Sequence, residues 1–196
     1  MRQNKIRRLA AVGMAAAIAL SLTACGEKQP SQEEVEQAIM VGDFTTATLS
    51  GEEFTREQLG DVVFFAFLDP SAEETQAFYD TLTTSYDSVV ENGADIVVCT
   101  KSESSSELFA GAPFPVILYN DSLKAAIGSN SSMAEDEEMP NAASWYVNGS
   151  FLSAWYSTVD GEDLPESAAA FVEMSKDPEF QAGGDSDGAA AMAPMG

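Results

Sequence analysis

The chain has 196 residues, with 32 acidic side chains against nine basic ones, no histidine and two cysteines. Its formal charge of −23 excludes nucleic-acid binding, because affinity for a phosphate backbone is supplied by Lys and Arg. The lack of His removes the commonest general base and metal ligand at neutral pH, and two cysteines cannot build a disulfide framework or a four-thiolate zinc site.

Hydrophobic residues at 45% and aromatics at 9% are ordinary for a globular protein and argue against wholesale disorder. Residues 1–24 stand apart. Arg2, Lys5, Arg7 and Arg8 form a basic start, and the apolar run Leu9 to Leu22 is too short to span a bilayer. That is a secretory signal layout. It ends in Leu22-Thr23-Ala24-Cys25-Gly26, which resembles the lipobox of bacterial lipoproteins. The resemblance implies cleavage before Cys25, diacylation of its thiol and acylation of the new amino terminus; the bland alternative is simple secretion. The expected location is the extracytoplasmic face of the cell membrane, and two or more acyl chains anchor stably where one does not. Cleavage leaves five basic against 32 acidic side chains, or −27. Such a body is repelled by anionic head groups, so the membrane partner is met through the acyl chains. The acidity serves solubility, and a saline habitat produces the same bias.

Residues 25–41 read as a polar spacer, with Ser31 and Glu34 at capping-box spacing for a short helix over 32–40. Residues 42–180 form the expected single domain. Residues 181–196 are a low-complexity tail expected to be disordered.

Within the domain, Phe44 to Leu49 reads as a strand, Gly51 as a turn and Glu53-Phe54 as a short return. Thr55 and Gln58 open a short helix before Gly60. Val62 to Leu68 is unbroken apolar, which suits a central strand covered on both faces. Asp69-Pro70 stops it, and Ser71 is placed to cap a helix that carries Phe78, Leu82, Tyr86 and Val89 and ends at Asn92-Gly93. Ala94 to Thr100 reads as a second buried strand. Ser102 to Phe109 is a polar connection or short helix, Val116 to Tyr119 a third strand and Ser122 to Ile127 a helical turn. Trp145 to Val147 and Phe151 to Tyr156 flank Asn148-Gly149, a hairpin signal. Pro165 to Lys176 reads as the closing helix. The periodicity gives an α/β fold with a mixed central sheet flanked by helices.

Particular stretches narrow this. Val62 to Leu68 with Asp69-Pro70, Gly93 to Val98, Pro113 to Asp121 and Trp145 to Gly149 stand in an order that resembles the peroxiredoxin-like (redoxin) branch of the thioredoxin superfamily. The resemblance implies a thioredoxin-like fold. In that family a cysteine opens the helix after the first central strand, helped by a neighbouring threonine or serine and an arginine. Here Ser71 takes the cysteine position, Ala142 the arginine's and Ser144 the late threonine's. A serine without a base is a poor peroxide nucleophile. The degenerate positions are therefore Asp69, Pro70, Ser71, Ala142 and Ser144, with no catalytic residue, metal or cofactor assigned.

Cys99, late in an apolar strand, is either core packing or a reactive thiol. Glu135 to Glu138 form an acidic run without the interleaved spacing of a calcium loop. The aromatics Trp145, Tyr146, Phe151, Trp155 and Tyr156 form either an exposed patch or a surface covered by the closing helix. The leading expectation is a lipid-anchored binding protein without peroxidase chemistry, its partner an unknown protein or small molecule. The alternatives are a one-cysteine oxidoreductase using Cys99 and a cell-envelope accessory protein acting through its acidic surface.

Overall fold

The computed structural model describes residues 40–101 and 107–177. The expected spacer helix over 32–40, the signal segment and the tail beyond residue 180 lie outside the described residues, apart from Met40. Two short strands, β1 (Thr45–Ala47) and β2 (Glu53–Thr55), pair antiparallel around the Gly51 turn. Gly51 sits at φ +86, a conformation only glycine adopts without strain. A single 3₁₀ turn follows, where the Thr55 N–H donates to Gln58 Oε1 at 2.7 Å.

The main sheet has five strands in the order β5-β4-β3-β6-β7. Here β3 is Val62–Leu68, β4 Asp95–Thr100, β5 Val116–Leu118, β6 Asn141–Val147 and β7 Ser150–Phe151. β3, β4 and β5 run parallel, while β6 pairs antiparallel to β3 with Val62 opposite Val147 and Leu68 opposite Asn141. The sheet is mixed, as the sequence pattern requires.

Among the described residues four helices flank it: α1 (Thr75–Glu91), α2 (Asp121–Ile127), α3 (Ser131–Ala134) and α4 (Asp163–Ser175). All seven residues of β3 are buried, because both faces are covered. Val62, Phe64, Ala66 and Leu68 pack with Ile96, Val98 and Trp145 under α1 and α4. Val63, Phe65 and Phe67 pack with Val97, Cys99 and Ile117 against α2 and the β1–β2 hairpin.

The structure corrects three expectations in detail and decides between the two readings of the hairpin aromatics. The helix after β3 begins at Thr75, not Ser71, with three turn residues between them. Ser71 does not cap it; its hydroxyl donates to Asp69 instead. The second arm of the late hairpin is only two residues long. It bulges out and rejoins β6 where Ala143 and Tyr156 exchange backbone hydrogen bonds of 2.9 and 2.8 Å. Finally, the aromatics of this hairpin are not an exposed patch. Trp145 lies 5.0 Å from the Phe64 ring on the sheet and 5.0 Å from Phe171 on α4. Tyr146 and Phe151 are buried on the other face. No helix among the described residues is long and apolar enough to cross a membrane.

Candidate functional site

Parallel β3 and β4 and antiparallel β6 bring three chain segments together at one end of the sheet. β3 delivers Asp69-Pro70-Ser71, β4 delivers Lys101 and β6 begins at Asn141. The crossing of chains is held by backbone bonds. The Asp69 N–H donates to the Pro140 carbonyl at 2.9 Å, and the Lys101 N–H to the Leu68 carbonyl at 3.0 Å. This is where α/β sheets gather ligands, outside the carboxyl ends of parallel strands.

Asp69 organises the turn. Its Oδ1 accepts the Ser71 N–H at 2.8 Å and the Ser71 hydroxyl at 2.6 Å. The hydroxyl bond holds the carboxyl below its ordinary range, against the opposing effect of desolvation; the Ser71 N–H and the Lys101 charge add to the lowering. With its proton committed to a carboxylate, Ser71 is a turn residue. It has no thiol, and the carboxylate it is bonded to is a weak base because its pKa is lowered.

Behind the turn lies a pair that sequence reasoning missed. Thr75, 0% exposed at the start of α1, has its Oγ1 2.6 Å from the Asp69 carbonyl and 2.7 Å from Asn141 Oδ1. Asn141 is 1% exposed, and its Nδ2 has no partner among the described residues. A hydroxyl has one proton and serves one acceptor well. Turned end for end, the amide would donate to Thr75 Oγ1 and leave that proton for Asp69. In the orientation described, Asn141 Nδ2 stays unpaired in the core, at a cost of about 1–3 kcal/mol. The only sequence signal was an amide beginning a mostly apolar strand directly after Pro140.

Lys101 completes the cluster. Its Nζ donates to the Met139 carbonyl at 3.2 Å. Partial burial lowers its pKa, while Asp69 and Asp136 act in the opposite direction.

Ala142, Ser144 and Cys99 bring no functional group into this cluster. Ala142 is fully buried and carries no polar group toward the turn. Ser144 pairs with Phe65, well down the strand. Its hydroxyl sits 2.9 Å from the Leu152 carbonyl and 2.8 Å from that of Ala154, where it serves the backbone bulge of the hairpin. Cys99 is 0% exposed in the layer under α2, on the opposite face of the sheet from α1. Burial pushes its thiol far up, and the Lys101 charge only partly opposes this. Ser71 and Cys99 therefore do not line one cleft. The low-pKa, accessible thiol that reactivity requires is not found at Cys99.

The acidic run is also accounted for locally. Glu135 takes an ion pair from Lys124 at 2.6 Å and a bond from the Tyr119 hydroxyl at 3.3 Å. Asp136 Oδ1 accepts the Glu138 N–H at 2.8 Å. Among the described residues no group of three or more His, Cys, Asp or Glu is placed to hold a metal ion. Beside the first turns of α1, a cleft of about 160 Å³ is lined by Glu74, Ala77, Phe78, Thr81 and Ser157 to Val159. It shares Thr158 and Val159 with a second cleft of about 170 Å³ at the start of α4.

Comparison with solved structures settles the architecture. The chain is similar to the thioredoxin domain of a thiol-disulfide oxidoreductase from Bacteroides vulgatus, at 14% identity over 68% of this chain and 95% of that one, with a TM-score of 0.53. It is similar to a secreted thiol-disulfide isomerase from Corynebacterium glutamicum, at 13% identity over 68% and 85%, with a TM-score of 0.54. It is also similar to copper-bound yeast Sco1, at 16% identity over 79% and 99%, with a TM-score of 0.53.

The fold is thioredoxin-like.

At these identities the likeness is one of fold. No protein-family model matches the sequence. No curated protein matches it. The thioredoxin-like domain has no cysteine pair, and its one cysteine, Cys99, is free and enclosed.

Proposed function

We propose that this protein is a lipid-anchored, extracytoplasmic thioredoxin-like binding module that performs no thiol chemistry. In this reading a protein or small molecule is met at the loop end of β3 and β6, around Asp69, Ser71 and Lys101, with the adjoining cleft beside α1. One observation carries it: the turn where this fold would present a thiol holds a serine whose hydroxyl is bonded to Asp69 at 2.6 Å, while the domain's one thiol is sealed inside the opposite layer. The basic-then-apolar start and the Cys25 lipobox support membrane anchoring through acyl chains. The secreted character of one structural neighbour is in keeping with an extracytoplasmic location. The burial of Cys99 counts against the one-cysteine oxidoreductase.

The test is turnover. Purified mature protein is assayed for peroxide consumption and for reduction of a protein disulfide, beside Cys99→Ala and Ser71→Ala. The expected result is no turnover by any of the three. Peroxidase activity abolished by Ser71→Ala, or disulfide reduction abolished by Cys99→Ala, overturns the reading. Partition of the full-length protein into membranes, lost in Cys25→Ser, tests the anchor separately.

A further inference from the structure

A second concavity lies on the α1–α4 face of the sheet, away from the loop end of β3. Its floor is Phe64 and Trp145, which pair across β3 and β6 well before Leu68 ends the strand. Tyr156, returned to β6 by its backbone bonds to Ala143, and Leu164 on α4 make the walls. Phe64, Trp145 and Leu164 are core residues, and Tyr156 packs against them. The resulting cleft measures about 170 Å³. Its rim is the loop between Tyr156 and α4, and hydrogen bonds fix that loop. Asp160 Oδ1 accepts the Glu162 N–H at 2.9 Å, and the Asp160 carbonyl accepts the Leu164 N–H at 3.2 Å. The Ser85 hydroxyl on α1 donates to the Gly161 carbonyl at 3.2 Å. Asp160 and Asp163, both exposed, thereby edge an apolar floor.

Charge decides what fits. The cations of the described domain are Arg56, Lys101, Lys124 and Lys176. Three of them pair with Asp43, Glu135 and Glu173, and Lys101 reaches the Met139 carbonyl. None lines the cleft, so among the described residues Asp160 and Asp163 have no ion-pair partner. An anion is repelled there. A bare metal ion needs an oxygen cage, and no group of described carboxylates supplies one. We propose that this cleft binds a small organic ammonium ion, its hydrocarbon body on the aromatic floor and its charge at Asp160 and Asp163. The volume lies below the roughly 300–1,000 Å³ of drug-sized pockets, which limits the body to a few carbons or one ring. The occupant is a free small molecule rather than a side chain of a docked protein. Among the described residues Val90 is the one large apolar side chain left exposed, so no apolar ring surrounds the cleft for a protein interface to bury. This binding does not depend on the loop-end site at Asp69 and Ser71.

Trp145 supplies the readout. It and Trp155 are the only tryptophans, and Trp155 lies in the other layer. In the full chain carrying Trp155→Phe, purified in non-ionic detergent, the single indole lines the cleft. Its emission is titrated with cyclohexylammonium, with cyclohexanol as the neutral match and with cyclohexanecarboxylate as the anion. Saturable binding of the ammonium is expected, at least about fivefold tighter than that of the alcohol, with no binding of the carboxylate. Asp160→Asn combined with Asp163→Asn keeps a side-chain acceptor for the Glu162 N–H and should weaken the ammonium to the level of the alcohol. Glu53→Gln combined with Asp61→Asn removes the same charge from exposed positions elsewhere and should leave the ammonium unchanged. An ammonium that binds no tighter than the alcohol, or not at all, overturns the proposal. Equal weakening by the two double variants also overturns it, because the effect then belongs to the net charge of the body. Tighter binding of a Gly-Lys-Gly peptide than of cyclohexylammonium overturns the choice of a free small molecule.

Discussion

Thr75→Val is the most informative single change at the candidate site, because it removes one buried hydroxyl and keeps the volume. That hydroxyl lies 2.6 Å from the Asp69 carbonyl and 2.7 Å from the Asn141 amide, and Thr75 has no exposed surface. The Asp69 carbonyl keeps the Ala72 N–H at 3.2 Å, so most of the loss falls on Asn141. An orphaned buried amide costs about 1–3 kcal/mol, and Asn141 already has one unpaired polar atom. The expected destabilisation is about 2 kcal/mol. With a urea slope of about 2 kcal/mol per molar for a domain of this size, the unfolding midpoint falls by about 1 M. The second half of the test is Asn141→Leu in the Thr75→Val background. Replacing both partners by apolar groups removes the unpaired amide, so the double variant should be less destabilised than the two single costs added. A Thr75→Val shift below about 0.5 kcal/mol would show that the hydroxyl holds nothing there. Strict additivity in the double variant would show that the two side chains are not coupled.

Two further outcomes are expected. In Ser71→Ala the Asp69 carboxyl loses the hydroxyl bond that chiefly lowers its pKa, and should titrate nearer the ordinary aspartate value. A lowered folded-state pKa contributes stability above the unfolded value and loses it as pH falls through the folded one. The variant should therefore be less stable than the parent at neutral pH, with the gap closing on the acid side. Side-chain carboxyl NMR and acid unfolding measure this, and an unmoved Asp69 titration would contradict it. Trp145→Ala removes a ring enclosed between Phe64 and Phe171 and should cost about 3–5 kcal/mol in thermal or urea unfolding. A cost under about 1 kcal/mol would mean that the ring is not part of the core between sheet and α4.

The parts of the fold that rest on burial were legible in the chain itself. Val62 to Leu68, seven apolar residues stopped by Asp-Pro, could only be a strand covered twice, and it is the centre of the sheet. Asn148-Gly149 marked the late hairpin, with Asn148 at φ 46 and Gly149 at φ +95 as that turn demands. The site was less legible, because it depends on register and on which face a residue takes. The family resemblance placed Ser144 with Ser71. A strand's period of two puts Ser144 on the α2 face and Asn141 on the α1 face, so Asn141 meets Thr75. The N-terminus of α1 slipped for a related reason. Ser71 has the composition of a cap, but Asp69, two residues earlier, offers a stronger acceptor and draws both the N–H and the hydroxyl into its own turn. The aromatic hairpin could be read either way until α4 was seen to cover Trp145.

The most direct test of a thioredoxin-like domain without working thiol chemistry is the rate at which Cys99 reacts with a maleimide in native buffer, followed by intact mass over a urea series. Burial at 0% exposure and a thiol held in its protonated form predict labelling only through unfolding. In native buffer the rate should be slower than in denaturant by about a thousandfold or more, and it should rise as urea opens the domain. Labelling within minutes in native buffer, at a rate independent of urea, would place an accessible thiol in this fold and contradict the account.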